Sequence, residues 1–187
     1  VDSIAAKYPD KLVVFVRHKP VDESAGRGNF FWWDYNFAIL PIIGEDVCGS
    51  GDDTRLAHEI GHYLGLGNTY SEVFTDIESA EEAYNRSGYN LTAFDGDTFK
   101  DTPPDLAIAG AEYQCGVQEA LAISNTSIPI SRGNLMSNYY PRSLLSPEQI
   151  ARARYMLAKR YSNGMVMPSN RGLKQGFELE NATILEH

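Results

Sequence analysis

HEIGHYLGLGN, residues 58–68, sets two histidines four positions apart, a glutamate beside the first, and glycines at 61, 65 and 67. On an α-helix, residues four apart share a face, so His58 and His62 present both imidazoles to one point. That is the spacing with which two nitrogens grip a single zinc ion. Glu59 stands next to the first ligand, where its carboxylate can take a proton from an attacking water. The plain alternative is an amphipathic helix with two surface histidines. Against it stand the glycine stop and the fact that only one other histidine, His18, precedes the C-terminal His187.

The surrounding pattern supports the helix. Thr54 to Leu66 puts Leu56, Ile60, Tyr63 and Leu64 on one apolar face, and Asp52 or Asp53 is placed to cap its start. Gly65 and Gly67 close it, because glycine enters the left-handed conformation without steric cost. Upstream, DSIAAKY at 2–8 ends a short helix, KLVVFVR at 11–17 reads as a strand, and FFWWDYNFAILPII at 30–43 holds two strands broken at 34–36. Downstream, a helix is expected over 76–84, then an irregular stretch through DGDTFKDTPPD to about residue 130. A last helix opens at Ser146, Pro147 and Glu148 and runs to about Arg160. The order predicts an α+β domain divided by a cleft.

Size and charge narrow the functional classes. A chain of 187 residues suits one compact domain, here 1–184, with 185–187 (LEH) read as the remnant of an expression tag. The net charge of −9, with no basic stripe, argues against nucleic acid and suits a cleft that attracts basic substrates. No apolar run is long enough to cross a bilayer. Val1 has no signal peptide before it, so the expectation is a mature or trimmed piece of a longer product. Asn85, Asn90, Asn125 and Asn181 head glycosylation sequons. Cys48 and Cys115 form either one bridge or two buried thiols. A bridge would close a loop of about 68 residues, worth ~4 kcal/mol in the chain-entropy model.

Gly65 sharpens the metal reading. In an HExxHxxG arrangement the glycine turns the chain so that a residue three further on returns to the metal, and a methionine-bearing turn is expected downstream. RGNLMSNYY supplies it, with Met136 as the turn methionine. Taken together, HEIGHYLGLGNTY, DGDTFKDTPPD, NLMSNYY and LSPEQIARARYML resemble, in that order, the pappalysin family of metzincin zinc peptidases. The resemblance covers residues 29–158. It implies a mixed twisted sheet and active-site helix in an upper subdomain (1–67), and an irregular lower subdomain (68–184) with the Met-turn and C-terminal helix. It also implies that the sheet's opening strand lies upstream of Val1 or has been removed. By position, His58 and His62 become zinc ligands, Glu59 the general base and Met136 the turn methionine. The family's transition-state tyrosine falls at Asn138, which leaves that role between Tyr139 and Tyr140.

The main departure is Asn68, which stands where the family has its third histidine. An amide oxygen is neutral and a poorer donor to zinc than imidazole, so affinity should fall while the chemistry survives wherever metal is retained. A glutamate from a second helix could replace it, and Glu78, Glu81 and Glu82 lie at that distance along the chain. The glycines and the Met-turn favour Asn68 instead. Asp95, Asp97 and Asp101, with Asp105 behind them, form oxygen-rich ground for a candidate calcium ion or, equally, a solvated turn. The sequence therefore reads as a secreted or cell-envelope zinc endopeptidase, expected as a monomer acting on protein or peptide held along a sheet edge. The rival is a pseudopeptidase or binding module that keeps the fold and has lost its metal through Asn68.

Overall fold

The computed structural model describes residues 2–8, 11–18, 27–28, 37–42, 54–109, 120–123, 126–140 and 142–162. Among them the chain is a mixture of helices and small sheets, an α+β arrangement. Cys48, Cys115, the expected cap at Asp52 or Asp53, the sequons at Asn125 and Asn181, and the tag-like end all lie outside the described residues.

A short helix α1 (Asp2–Ala5) leads to strand β1 (Val13–His18). Strands β2 (Arg27–Gly28) and β3 (Phe37–Ile42) complete a three-stranded sheet in the order β1-β3-β2. β1 runs parallel to β3, with Phe15 opposite Ile39, while β2 is antiparallel to β3. The HExxH segment forms α2 (Arg55–Tyr63) and packs against β2 and β3. It is shorter than the sequence suggests. Thr54 occupies its N-cap without a side-chain bond, and Leu56 faces solvent, because the buried face belongs to His58, Glu59, His62 and Tyr63.

Beyond α2 the chain builds a second core. β4 (Val73–Phe74) pairs in parallel with β5 (Ala107–Ile108). Between them lie α3 (Ile77–Arg86), a short 3-10 helix at Leu91–Phe94, and the acidic turn. Asp76 and Ser79 close a reciprocal capping box at the start of α3, the local reason it begins there. Its inward residues Ala80 and Tyr84 join Phe74, Phe94, Leu106, Ile108 and Tyr139 in one apolar cluster. The hairpin β6 (Ala120–Ile123) and β7 (Thr126–Pro129) contributes Ile123 and Ile128 to it.

β8 (Gly133–Asn134) pairs with β9 (Arg142–Leu144) around the methionine turn, and α4 (Pro147–Ser162) follows. Arg160 on α4 lays its guanidinium 3.8 Å over the ring of Tyr63, tying the last helix to α2. Among the described residues no helix is long and apolar enough to cross a membrane.

Candidate metal centre

The site begins with how α2 ends. Gly65 takes φ +79°, and Leu66 N–H donates back to the Gly61 carbonyl at 3.0 Å while Gly65 N–H donates to His62 O. This pair of bonds is a Schellman closure, and it needs a residue without a Cβ at the left-handed position. The turn brings Leu66 under the helix, fully buried against Leu135 and Met136. Its carbonyl then accepts from His62 Nδ1 at 2.9 Å. The glycine that stops the helix therefore also orients one of its histidines.

His58 is oriented from the opposite side. Its Nδ1 donates to the Leu135 carbonyl at 2.8 Å, in the residue just before Met136. Met136 is wholly buried, and a Cβ built on Gly61 would lie 2.5 Å from its Sδ. Gly61 is thus the gap in α2 into which the methionine turn fits.

These carbonyl partners decide the tautomers. A carbonyl only accepts, so both Nδ1 atoms carry the proton and both Nε2 atoms are lone-pair acceptors. The two Nε2 atoms face each other 3.1 Å apart, with the rings nearly perpendicular. A shared proton would settle that contact, but the site disfavours one. Burial, then the charge of Arg142 and the neighbouring imidazole, push His58 down to about 3. Burial likewise lowers His62. Two neutral nitrogens facing each other at 3.1 Å can be compared with two ligands of one ion. Ligands at ~2.0–2.1 Å from a tetrahedral ion sit roughly 3.3 Å apart, so the spacing fits.

Asn68, the third position in the motif, carries an unsatisfied oxygen. Its Oδ1 is buried and has no hydrogen-bond partner, an arrangement a folded protein avoids unless something else satisfies the oxygen. The backbone around it is fixed on two sides. Thr69 N–H donates to Met136 O at 3.1 Å, and Thr69 Oγ1 donates to Asp105 Oδ2 at 2.7 Å. On the other side Gly96 N–H donates to Thr69 O, and Tyr70 bridges to Asp95. A side chain on Gly96 would overlap the Asn68 and Tyr70 carbonyls.

The acidic turn proves to be scaffolding for this segment. Asp95 Oδ1 accepts from the N–H groups of Asp97 and Thr98. Asp97 accepts from Phe99 N–H, Thr102 Oγ1 and Gln149 Nε2. Asp101 accepts from Ser146 Oγ and Glu148 N–H at the start of α4. The three candidate calcium carboxylates thus serve three different sets of protein donors. Among the described residues no group of three or more His, Cys, Asp or Glu side chains gathers to hold an ion. Glu78 and Glu82 are exposed on α3, and Glu81 is half-buried.

Glu59 is buried on α2 beside His58. The two tyrosines part company. Tyr139 belongs to the apolar core, where its hydroxyl donates to Leu106 O at 2.5 Å and accepts from Ile108 N–H at 3.2 Å. Tyr140 instead accepts from Arg142 Nη2 at 3.0 Å, and its ring lies 4.5 Å from the guanidinium carbon.

Gln149 and Arg142 had no assigned role from sequence, and Asp105 had only been grouped with the acidic turn. Asp105 accepts from Thr69 Oγ1, Ser137 Oγ and Ser131 N–H, clamping the Asn68 segment to the methionine turn. Gln149, fully buried, joins Asp97 to Asn134, whose Oδ1 accepts from Met136 N–H. The available signal for Asp105 was its place in DTPPD; a lone arginine after YYP carries none. No family model and no curated protein matches this chain.

Proposed function

We propose that this domain is a zinc-dependent endopeptidase of metzincin-like architecture, with His58, His62 and Asn68 as the metal ligands. The observation that carries the reading is the pair of Nε2 atoms facing each other 3.1 Å apart, each ring oriented by a carbonyl on its far side. The buried Asn68 Oδ1 supports a third donor in the same segment. When bound, zinc would supply Lewis-acid polarisation of the scissile carbonyl and of the attacking water.

The remaining work falls to the chain's own groups. Glu59 takes the proton of the attacking water and delivers it to the leaving amine. Its burial keeps competing solvent away from that transfer. Of the two tyrosines, Tyr140 is the proposed group for steadying the developing oxyanion, because the Tyr139 hydroxyl donates to Leu106 O in the core. It accepts from Arg142, which polarises its own O–H toward a neighbouring negative charge. Tyr139 supports this from beneath as a core anchor. β2, two residues long at the sheet edge, is the element along which an extended peptide would align. Such a domain fits a secreted or cell-envelope enzyme acting as a monomer on unstructured protein.

The test is cleavage of an unstructured protein at saturating zinc. The parent should cut, Glu59→Ala should not cut while remaining folded, and Asn68→His should raise turnover at limiting zinc. An inert parent that Asn68→His alone revives would make the native domain a pseudopeptidase.

A further inference from the structure

SPEQ, residues 146–149, opens α4 with a capping box. Ser146 Oγ accepts from Gln149 N–H at 3.2 Å, and Ser146 N–H donates back to Gln149 Oε1 at 3.0 Å. A cap needs only one of the four hydrogen bonds an amide side chain can make, and it needs no burial. Gln149 is 0% exposed and makes all four. Oε1 also accepts from Asn134 Nδ2 at 2.9 Å, while Nε2 donates to Asp97 Oδ2 at 3.1 Å and to Asn134 Oδ1 at 3.3 Å. The Ser146 N–H can only donate, which fixes the way round the amide sits.

Its two side-chain partners lead to opposite sides of the candidate metal centre. Asn134 Oδ1 accepts from Met136 N–H at 2.8 Å, and the carbonyl of the same peptide unit, Leu135 O, accepts from His58 Nδ1 at 2.8 Å. Asp97 follows Gly96, whose N–H donates to Thr69 O at 3.2 Å, and Thr69 follows Asn68. Gly67, on the other side of Asn68, packs closely on this turn. A Cβ there would lie 3.2 Å from Gly96 O and 3.5 Å from Asp97 Cα. One buried amide therefore holds both the turn that orients His58 and the turn that backs the Asn68 segment.

Resting on the zinc reading above, we propose that Gln149 is a positioning residue for the metal site, holding the His58 side and the Asn68 side at the separation one ion requires. It acts through Asn134 and Asp97, and the polarity of its donors and acceptors is what joins them. Asp97 Oδ1 accepts from Phe99 N–H at 3.0 Å and from Thr102 Oγ1 at 2.6 Å, so Oδ2 is the oxygen that faces Gln149. Gln149→Glu sets an oxygen against two acceptors, Asp97 Oδ2 and Asn134 Oδ1. Asp97→Asn sets an amide NH2 against Gln149 Nε2, because Phe99 N–H and Thr102 Oγ1 keep the new oxygen on their own side. With both substitutions the new amide donates to the new carboxylate, and the Asp97 contact returns with its polarity reversed.

The experiment measures zinc affinity by competition with a chromophoric chelator in the parent, Gln149→Glu, Asp97→Asn, the double variant and Ser146→Ala. Urea unfolding of each apo protein runs alongside. Gln149→Glu and Asp97→Asn should each bind zinc several-fold more weakly, and the double variant should recover most of that loss. Ser146→Ala removes the capping oxygen but leaves the amide's own bonds, so it should lower the urea midpoint and keep the parent's zinc affinity. Losses that add in the double variant, or a loss in Ser146→Ala as large as in Gln149→Glu, would reduce Gln149 to a helix cap and overturn the proposal. Should Gln149→Glu fail to fold, Asp97→Asn decides: weaker zinc binding supports the role and unchanged binding refutes it. The Nδ1–H resonance of His58 in apo protein reads the same positioning without metal. It should persist in the parent and the double variant and be lost to solvent exchange in Gln149→Glu; a resonance unchanged in every variant would end the role. A parent that binds no zinc yet shows that loss would overturn the zinc reading while leaving Gln149 as the residue that positions His58.

Discussion

Asp105→Ala should separate the two halves of the metal site. Asp105 is 1% exposed and receives Thr69 Oγ1 at 2.7 Å, Ser137 Oγ at 2.8 Å and Ser131 N–H at 3.0 Å. After truncation Thr69 can turn its hydroxyl fully to Met136 O, now 3.4 Å away, but the Ser131 and Ser137 donors have been stranded. Each stranded buried donor costs ~1–3 kcal/mol. Burial pushes the Asp105 carboxyl up, so losing the buried charge returns part of that cost. A net loss of about 3 kcal/mol follows, a large share of the 5–15 kcal/mol typical of a domain. Asp105→Asn keeps the shape and one acceptor for Ser131 N–H, and should lose ~1 kcal/mol. Urea unfolding of apo protein measures both, and zinc competition should show weaker binding in Asp105→Ala because Asn68 loses its tether. A loss below ~1 kcal/mol for Asp105→Ala, or unchanged zinc affinity, would refute the clamp.

Gly61→Ala drives a methyl against Met136 Sδ and should cost ~1–3 kcal/mol by overpacking, with a marked part recovered when Met136→Ala is added; additive losses in the double-mutant cycle would contradict the notch. Gly96→Ala meets backbone rather than a flexible side chain, so it should destabilise the domain and weaken zinc together, as thermal unfolding and chelator competition would show. The apo protein should lose stability as pH falls. His58 binds a proton near 6.5 when unfolded but only near 3 when folded, so unfolding takes up protons throughout that window. Urea midpoints measured from pH 7 to 4 should fall, and His58→Gln should flatten the slope; an unchanged slope would deny the buried neutral imidazole.

Much of this arrangement is legible before any coordinates, for local reasons. The helix α2, its stop at Gly65, α3 behind Asp76 and α4 behind Pro147 follow from capping chemistry and from spacings of three and four residues. The partners of the histidines are less so. That Leu135 O, 77 residues away, fixes the His58 tautomer depends on a long-range fold that no periodicity encodes. Carboxylates crowded around a glycine suit calcium by composition; in the fold Asp95 and Asp97 accept from N–H groups of the turn itself, and Asp101 from donors at the start of α4. Tyr139 and Tyr140 are adjacent and alike in sequence, and only packing separates a core hydroxyl from one beside Arg142.

The central claim is that His58, His62 and Asn68 hold one zinc ion, and zinc-edge X-ray absorption on protein loaded with one equivalent tests it most directly. The account predicts two imidazole nitrogens at ~2.0–2.1 Å with the remaining ligands oxygen, changing to three imidazoles in Asn68→His and to one in His62→Ala. A spectrum with fewer than two imidazoles in the parent, or one that Asn68→His leaves unchanged, would contradict it.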